Sequence, residues 1–227
     1  MTIFEYICQP EHPCFNTVDY TTTQVTLFTI GALLWCAAYI CSIKMLYRKK
    51  DKALDIPIVA VLLNFGCEIT TAIWFVPNMG LVLVIAYWAW MVLDFFIVAG
   101  LLRYGKDQMV FPEFKDHFYI YIITGFITSF TVQHFFILQY DLPMAPLDSY
   151  VINLVMSIAF ISLMFVDNYK GNSKFIAWCK FLGTGIISIM FYTKYSENNF
   201  LTSLYIFCAL FDVVYLYLLY SKQANHV

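Results

Sequence analysis

The apolar residues of this chain fall into long blocks and do not alternate with polar ones. Seven such stretches run near residues 24–46, 57–76, 80–102, 118–139, 149–167, 174–192 and 200–220, separated by short polar or Pro/Gly-containing segments. A helix that crosses a bilayer needs about 20 predominantly apolar residues. The pattern predicts an all-α fold, a seven-transmembrane-helix bundle built as one membrane-embedded domain over 1–227. No internal repeat or low-complexity tract is evident, and no stretch reads as an appended soluble domain. The segment before the first span, MTIFEYICQPEHPCFNTVDY, lacks a basic n-region and a small-residue cleavage site. That span is therefore expected to remain in the membrane and not to be removed as a signal peptide.

Composition agrees with the pattern. Of 227 residues, 61% are hydrophobic, 19% aromatic and only 12% charged, against about 25% charged in a soluble domain. The basic residues are placed unevenly. Lys44, Arg48, Lys49, Lys50 and Lys52 follow the first span, Arg103, Lys106 and Lys115 the third, and Lys170, Lys174 and Lys180 the fifth. Lys222 follows the last span, and Lys194 stands alone on the opposite face. The excess of twelve to one puts the C-terminus in the cytoplasm and the N-terminus outside or in the lumen. No basic stripe extends beyond one short loop, so no nucleic-acid partner is expected. Of the seven cysteines, Cys8 and Cys14 lie on the non-cytoplasmic segment, where a disulfide can form. The others read as small apolar fillers. No Cys/His cluster suggests a metal.

The candidate chemistry lies in the few polar side chains inside the spans, because an ionisable group there is costly and points to function. Asn64 and Glu68 lie on the second span, Asp94 on the third, Gln133 and His134 on the fourth, Asn153 on the fifth and Asp212 on the seventh. With a rise of about 1.5 Å per residue, Asn64 lies about 10 Å, and Glu68 about 16 Å, from the cytoplasmic end of their helix. Asp94 and Asp212 come to similar depth on theirs. The four are expected to meet in one polar chamber in the inner half of the membrane, with His134 and Asn153 nearer the other face. Helical spacing puts Tyr87 and Trp90 on the face of Asp94, and Tyr205, Cys208 and Tyr215 on that of Asp212. Burial favours the protonated form of a carboxyl, and aromatic faces stabilise cations. The plainer readings stand beside this one. Any one of these carboxyls can be an interhelical hydrogen-bond partner, His134 a structural histidine, and the tyrosines and tryptophans packing groups. Asp167 reads as a solvated helix end. LGTGIIS, residues 182–188, offers small residues for a close helix contact.

The ordered set of segments is similar to a known family. IPIVAVLLNFGCEITTAIWFVP, WMVLDFFIVAGLLRYGK, TVQHFF, NLVMSIAFISLMFVDNYKGNSKFIAWCKFLGTG and LFDVVYLYLLY resemble successive parts of the small integral-membrane terpene cyclases of fungal meroterpenoid and indole-diterpene pathways, which have bacterial relatives. The resemblance runs nearly end to end. It implies that Glu68 and Asp212 are the acidic residues tied to activity. Asn64, Asp94, Trp90, Tyr205, Tyr215 and His134 would contribute to the substrate pocket. The implied reaction is protonation of an epoxide or alkene of a polyprenyl or prenylated chain, a carbocation cascade and loss of a proton, with no metal or organic cofactor. The lipid bilayer would be the medium, and a membrane-associated epoxidase or prenyltransferase the upstream partner. The membrane would be the plasma membrane in a bacterium and the endoplasmic reticulum in a fungus. Cys67 stands where the family commonly has a Trp before the Glu, which bears on pocket shape and substrate. The competing reading is a proton-coupled small-solute transporter using the carboxylates as a relay. Interior prolines, which broken transporter helices often contain, are missing from the spans. A retinal protein would need a lysine within 200–220, and there is none.

Overall fold

The computed structural model describes residues 14–48, 56–74, 79–109, 112–166 and 173–224. The expected Cys8–Cys14 bridge and the helix end at Asp167 lie outside the described residues. We label seven apolar helices in chain order: α1 (Thr22–Arg48), α2 (Ile58–Ile69), α3 (Leu81–Tyr104), α4 (Phe118–Tyr140), α5 (Pro146–Val166), α6 (Lys174–Lys194) and α7 (Asn199–Ala224). α2 continues into a π-helical turn, Thr70–Trp74. Six of these helices are long and apolar enough to cross a membrane. Where the second span was expected, the described part of the apolar helix is Ile58–Trp74.

Helix starts are fixed by local chemistry. At α1, the Gln24 amide N–H donates to the Thr21 hydroxyl and the Thr21 amide N–H to the Gln24 side chain, at 3.2 and 2.9 Å. This is a reciprocal capping box that satisfies backbone donors otherwise left open. Ser173 accepts from the Ile176 amide at α6, and Asn198 from the Leu201 amide at α7.

α1 packs on α6 and α3, α3 on α2, α2 on α5, α5 on α7, and α7 back on α6. These six helices close a ring, and α4 lies outside it against α2. The α1–α6 seam is a glycine crossing. A Cβ on Gly31 would stand 2.9 Å from the Gly183 carbonyl oxygen. Gly183 of LGTG thus does what was expected of that stretch, letting two backbones approach, whereas Gly185 faces open space. The outer surfaces of the helices expose Leu33, Ile85, Phe96, Ile123, Ile206 and Tyr217. That is a continuous apolar exterior suited to lipid.

Lys180 needs correction. Counted with the cytoplasmic loops, it is in fact inside α6 and 2% exposed. Lys174, not Lys180, marks the helix start, so two turns of α6 carry the lysine into the bundle. Removing it leaves eleven basic residues against one, so the asymmetry persists.

Candidate active site

The carboxyl cluster is built from α1, α2 and α3. Asn64 and Glu68 are four apart on α2 and so share a face. The Asn64 side-chain amide donates to Glu68 Oε1 at 2.8 Å and to Asp94 Oδ2, on α3, at 2.9 Å. It thus links the two carboxyls. Tyr39, on α1, donates its hydroxyl to the same Glu68 oxygen at 2.7 Å and is itself hydrogen-bonded to Asn64. Glu68 is 3% and Asp94 2% exposed. Among the described residues, Glu68 Oε2 has no hydrogen-bond partner.

The backbone under Glu68 is held from both sides. Thr70 and Thr71 return their hydroxyls to the carbonyls of Gly66 and Cys67, each at 2.8 Å. The helix widens there into the π turn, a feature found often at functional sites. On the outer side, α4 approaches so closely that a Cβ on Gly66 would lie 2.4 Å from Ser129 Oγ. Ser129 donates to the Leu62 carbonyl and Gln133 to the Leu63 carbonyl, both at 2.9 Å.

Glu68, Asn64 and Tyr39 form part of the wall of a cavity of about 670 Å³, counting its mouth. The rest of the wall is largely aromatic: Phe28 and Trp35 from α1, Tyr87 and Trp90 from α3, Tyr150 from α5 and Phe191 from α6. Tyr87 and Trp90 meet edge to face at 5.2 Å, and Phe28 lies 6.1 Å from Trp90. One polar strip interrupts the aromatics. Asn153 donates to Thr184 Oγ1 at 3.0 Å, and Tyr150 shares a hydrogen bond with Ser188 at 2.8 Å. Cys67 also lines the cavity, with its sulfur 3.9 Å from Ser149 Oγ. An aromatic wall and a carboxyl at one point suit a hydrophobic guest with a reacting polar atom.

The polar chamber expected in the inner half lies differently. The cavity residues fall mainly toward the start of α1, α3 and α5 and the end of α6, with Glu68 at mid-depth as its floor. Depth along a helix gave the level of the acid but not the side on which bulky residues leave room. Beneath it is a second, smaller space of about 410 Å³, whose wall includes Tyr39, Ser42, Asn64, Asp94 and Lys180.

Of the four side chains expected to converge, Asn64, Glu68 and Asp94 meet. Asp212 stands apart, its Oδ1 accepting from Lys180 Nζ at 2.5 Å, and it lines neither space. Lys180 also donates to Ser157 at 2.6 Å. Trp90 is in the cavity wall. Tyr205 lies behind it, packed edge-on against Tyr150 at 4.5 Å. Tyr215 packs on Phe160, 5.5 Å away. His134 is on α4 outside the ring, edge to face with Trp74 at 6.1 Å and 5.8 Å from Phe130. Sequence reasoning passed over Tyr39, one tyrosine among 17. It also passed over Lys180 as a buried group, although the lysine's place inside the 174–192 stretch was a readable signal.

Residues 11–224 match the profile of a family described as Pyr4-like transmembrane terpene cyclases. Among characterised proteins, the chain is similar to the "Pyr4-family terpene cyclase mfmH" of Annulohypoxylon moriforme. The two are 25% identical over 185 residues, which cover 78% of this chain and 74% of that protein. No solved structure matches.

Proposed function

Since the chain belongs to the Pyr4-like transmembrane terpene cyclases, a family of multi-pass membrane proteins that act on lipophilic substrates, we propose that it starts its cyclisation with a proton from Glu68. The observation behind this reading is the arrangement of one carboxyl group. Glu68 Oε1 accepts from Tyr39 and Asn64, while Oε2, beside an aromatic cavity, has no hydrogen-bond partner among the described residues. Two ionised carboxylates bridged by one amide would be costly so deep in an apolar ring. Glu68 and Asp94 therefore share a proton and titrate as a pair.

The substrate is a polyprenyl chain, free or attached to a prenylated scaffold, with a terminal epoxide. Glu68 gives its proton to the epoxide oxygen. The C–O bond opens as the neighbouring alkene's π electrons form a C–C bond, and the positive charge moves along the chain as further rings close. Loss of a proton from carbon forms the final alkene and restores the proton balance, so the product is an isomer of the substrate. Trp90, Tyr87, Trp35 and Phe28 face the developing cation. The aromatic wall limits the water that would quench it. The reading uses no metal or organic cofactor, because the proton comes from the chain itself. Tyr205 and Tyr215 support the wall from the layer behind it, and His134 serves packing on α4. An epoxidising and a prenyl-transferring activity in the same membrane would supply the substrate. The transporter reading gains nothing from the family match.

The test is direct. Protein purified in detergent is given phenols carrying a terminally epoxidised prenyl chain, without added metal. The expected result is a cyclic product of unchanged mass. Glu68→Gln should reduce turnover at least ~100-fold, the low end of what a general acid contributes. Full activity in that variant would refute the assignment.

A further inference from the structure

Asp212 and Lys180 are a buried ion pair that the acid-initiated reading does not use. Both are 2% exposed, and Lys180 Nζ lies 2.5 Å from Asp212 Oδ1. Ser157, 2.6 Å from the same nitrogen, returns its own hydroxyl hydrogen to the Asn153 carbonyl at 2.9 Å. The pair is therefore oriented from α5, α6 and α7 together. Its two members differ in what they face. Lys180 lines the smaller space below the cluster, and Asp94 and Asn64 line it too. Asp212 lines neither space, so no substrate atom in either one touches it.

We propose that Asp212 serves the reaction as the counter-ion of Lys180, keeping the lysine's charge away from Asp94, and not as an acid. This rests on the reading of Glu68 and Asp94 as the proton source. The reasoning is electrostatic. Removing one partner of a buried pair leaves an uncompensated charge, whereas removing both is often tolerated. An ammonium released by Asp212 would turn to the other carboxyl on the wall of that space, Asp94. A neighbouring positive charge stabilises a carboxylate over the acid. The proton shared by Asp94 and Glu68 would be lost, and the cascade could not start, although the aromatic cavity would be intact. Asp212 is thus a positioning residue that acts through Lys180.

This makes a prediction that no acid role for Asp212 makes. Asp212→Asn should lower kcat about 100-fold, with KM little changed, because the larger cavity is untouched. The double variant Lys180→Met/Asp212→Asn, which lacks both charges, should recover to within about tenfold of the parent. Rates are taken per monodisperse, folded protein, with the epoxidised prenyl phenols as substrates and Glu68→Gln as the reference for a lost acid. A double variant as inactive as Asp212→Asn, while the parent turns over, overturns the proposal. Full activity in Asp212→Asn also overturns it. Thermal unfolding in detergent reads the pair without any substrate. Asp212→Asn should melt lower than the parent, and the double variant should regain most of that loss. If the double variant melts no higher than Asp212→Asn, Asp212 is not there to balance Lys180. Failure of the parent to cyclise any substrate would count against the cyclase chemistry, and the melting comparison would still decide the ion-pair proposal.

Discussion

Tyr39 holds Glu68 by a hydrogen bond of 2.7 Å and also touches the Asn64 amide that reaches both carboxyls. Tyr39→Phe keeps the ring in the wall and removes only the hydroxyl. A buried hydrogen bond to a charged or charge-sharing group is worth roughly 1.5–3 kcal/mol. Turnover should therefore fall ~10- to 100-fold, with substrate affinity nearly unchanged, in steady-state assays of kcat and KM. An equal fall in affinity would show that the hydroxyl binds substrate instead of orienting the acid. At this scale the sequence was informative where the geometry is local. Asn64 and Glu68 share a helix face by spacing alone, and the cost of a buried carboxyl singled out Asp94. It was uninformative where the partner comes from another helix. Asp212 and Glu68 reach similar depth, but depth does not fix the azimuth of a helix in the ring. Asp212 turns to α6, where Lys180 meets it. Tyr39 had no local signal at all, because its role comes only from α1 lying beside α2 and α3.

Among the elements, α1 and α6 form the seam that positions Trp35, Tyr39, Thr184 and Ile187 on the cavity wall. The seam depends on Gly31, whose added Cβ would lie 2.4 Å from Ile187 Cγ1 and 2.9 Å from a backbone oxygen of Gly183. Backbone cannot yield as a flexible side chain can, so Gly31→Val must push the helices apart. Overpacking of this kind costs about 1–3 kcal/mol, and the displaced wall should lower turnover as well. Gly185 is the control, because an added Cβ there meets nothing within 4 Å. Gly185→Ala should be neutral or stabilising by up to ~1 kcal/mol, from the better helix propensity of alanine. Melting temperatures in detergent compare the two. Equal losses would mean that the seam is not set by glycine. LGTG was legible as a contact because small residues cluster at close crossings. The π turn after Glu68 was not legible, since nothing in TTAIW breaks the apolar pattern.

Among the described residues, six helices form a ring with α4 outside it, the larger of the two cavities opens toward the lysine-poor end, and the ion pair lies near the lysine-rich one. Lys44, Arg48, Arg103, Lys115 and Lys174 fall at helix ends or connections on one side, and Lys194 on the other. Lys194 is held there, its ammonium donating to the Asp19 carbonyl at 2.5 Å and lying 4.5 Å from the Tyr20 ring centre. Charge of one sign collected at one end orients a protein during insertion. The lysine-rich end should therefore be cytoplasmic, which would put the mouth of the aromatic cavity on the outer or lumenal half, above the carboxyl floor. Site-directed labelling checks this. Glu113 lies in the α3–α4 connection and Glu197 in the α6–α7 connection, and both are exposed. In a Cys8→Ser/Cys14→Ser background, Glu197→Cys should react with a membrane-impermeant thiol reagent in sealed vesicles of native outside-out orientation. Glu113→Cys should react only after the vesicles are opened. The reverse result would invert the topology and place the cavity mouth on the cytoplasmic side. Labelling of neither cysteine in sealed vesicles but both after opening would mean that the two ends share a side, contradicting an odd number of crossings between them. In either topology a lipophilic substrate dissolved in the bilayer meets the cavity mouth at the lysine-poor end, with the carboxyls between it and Lys180.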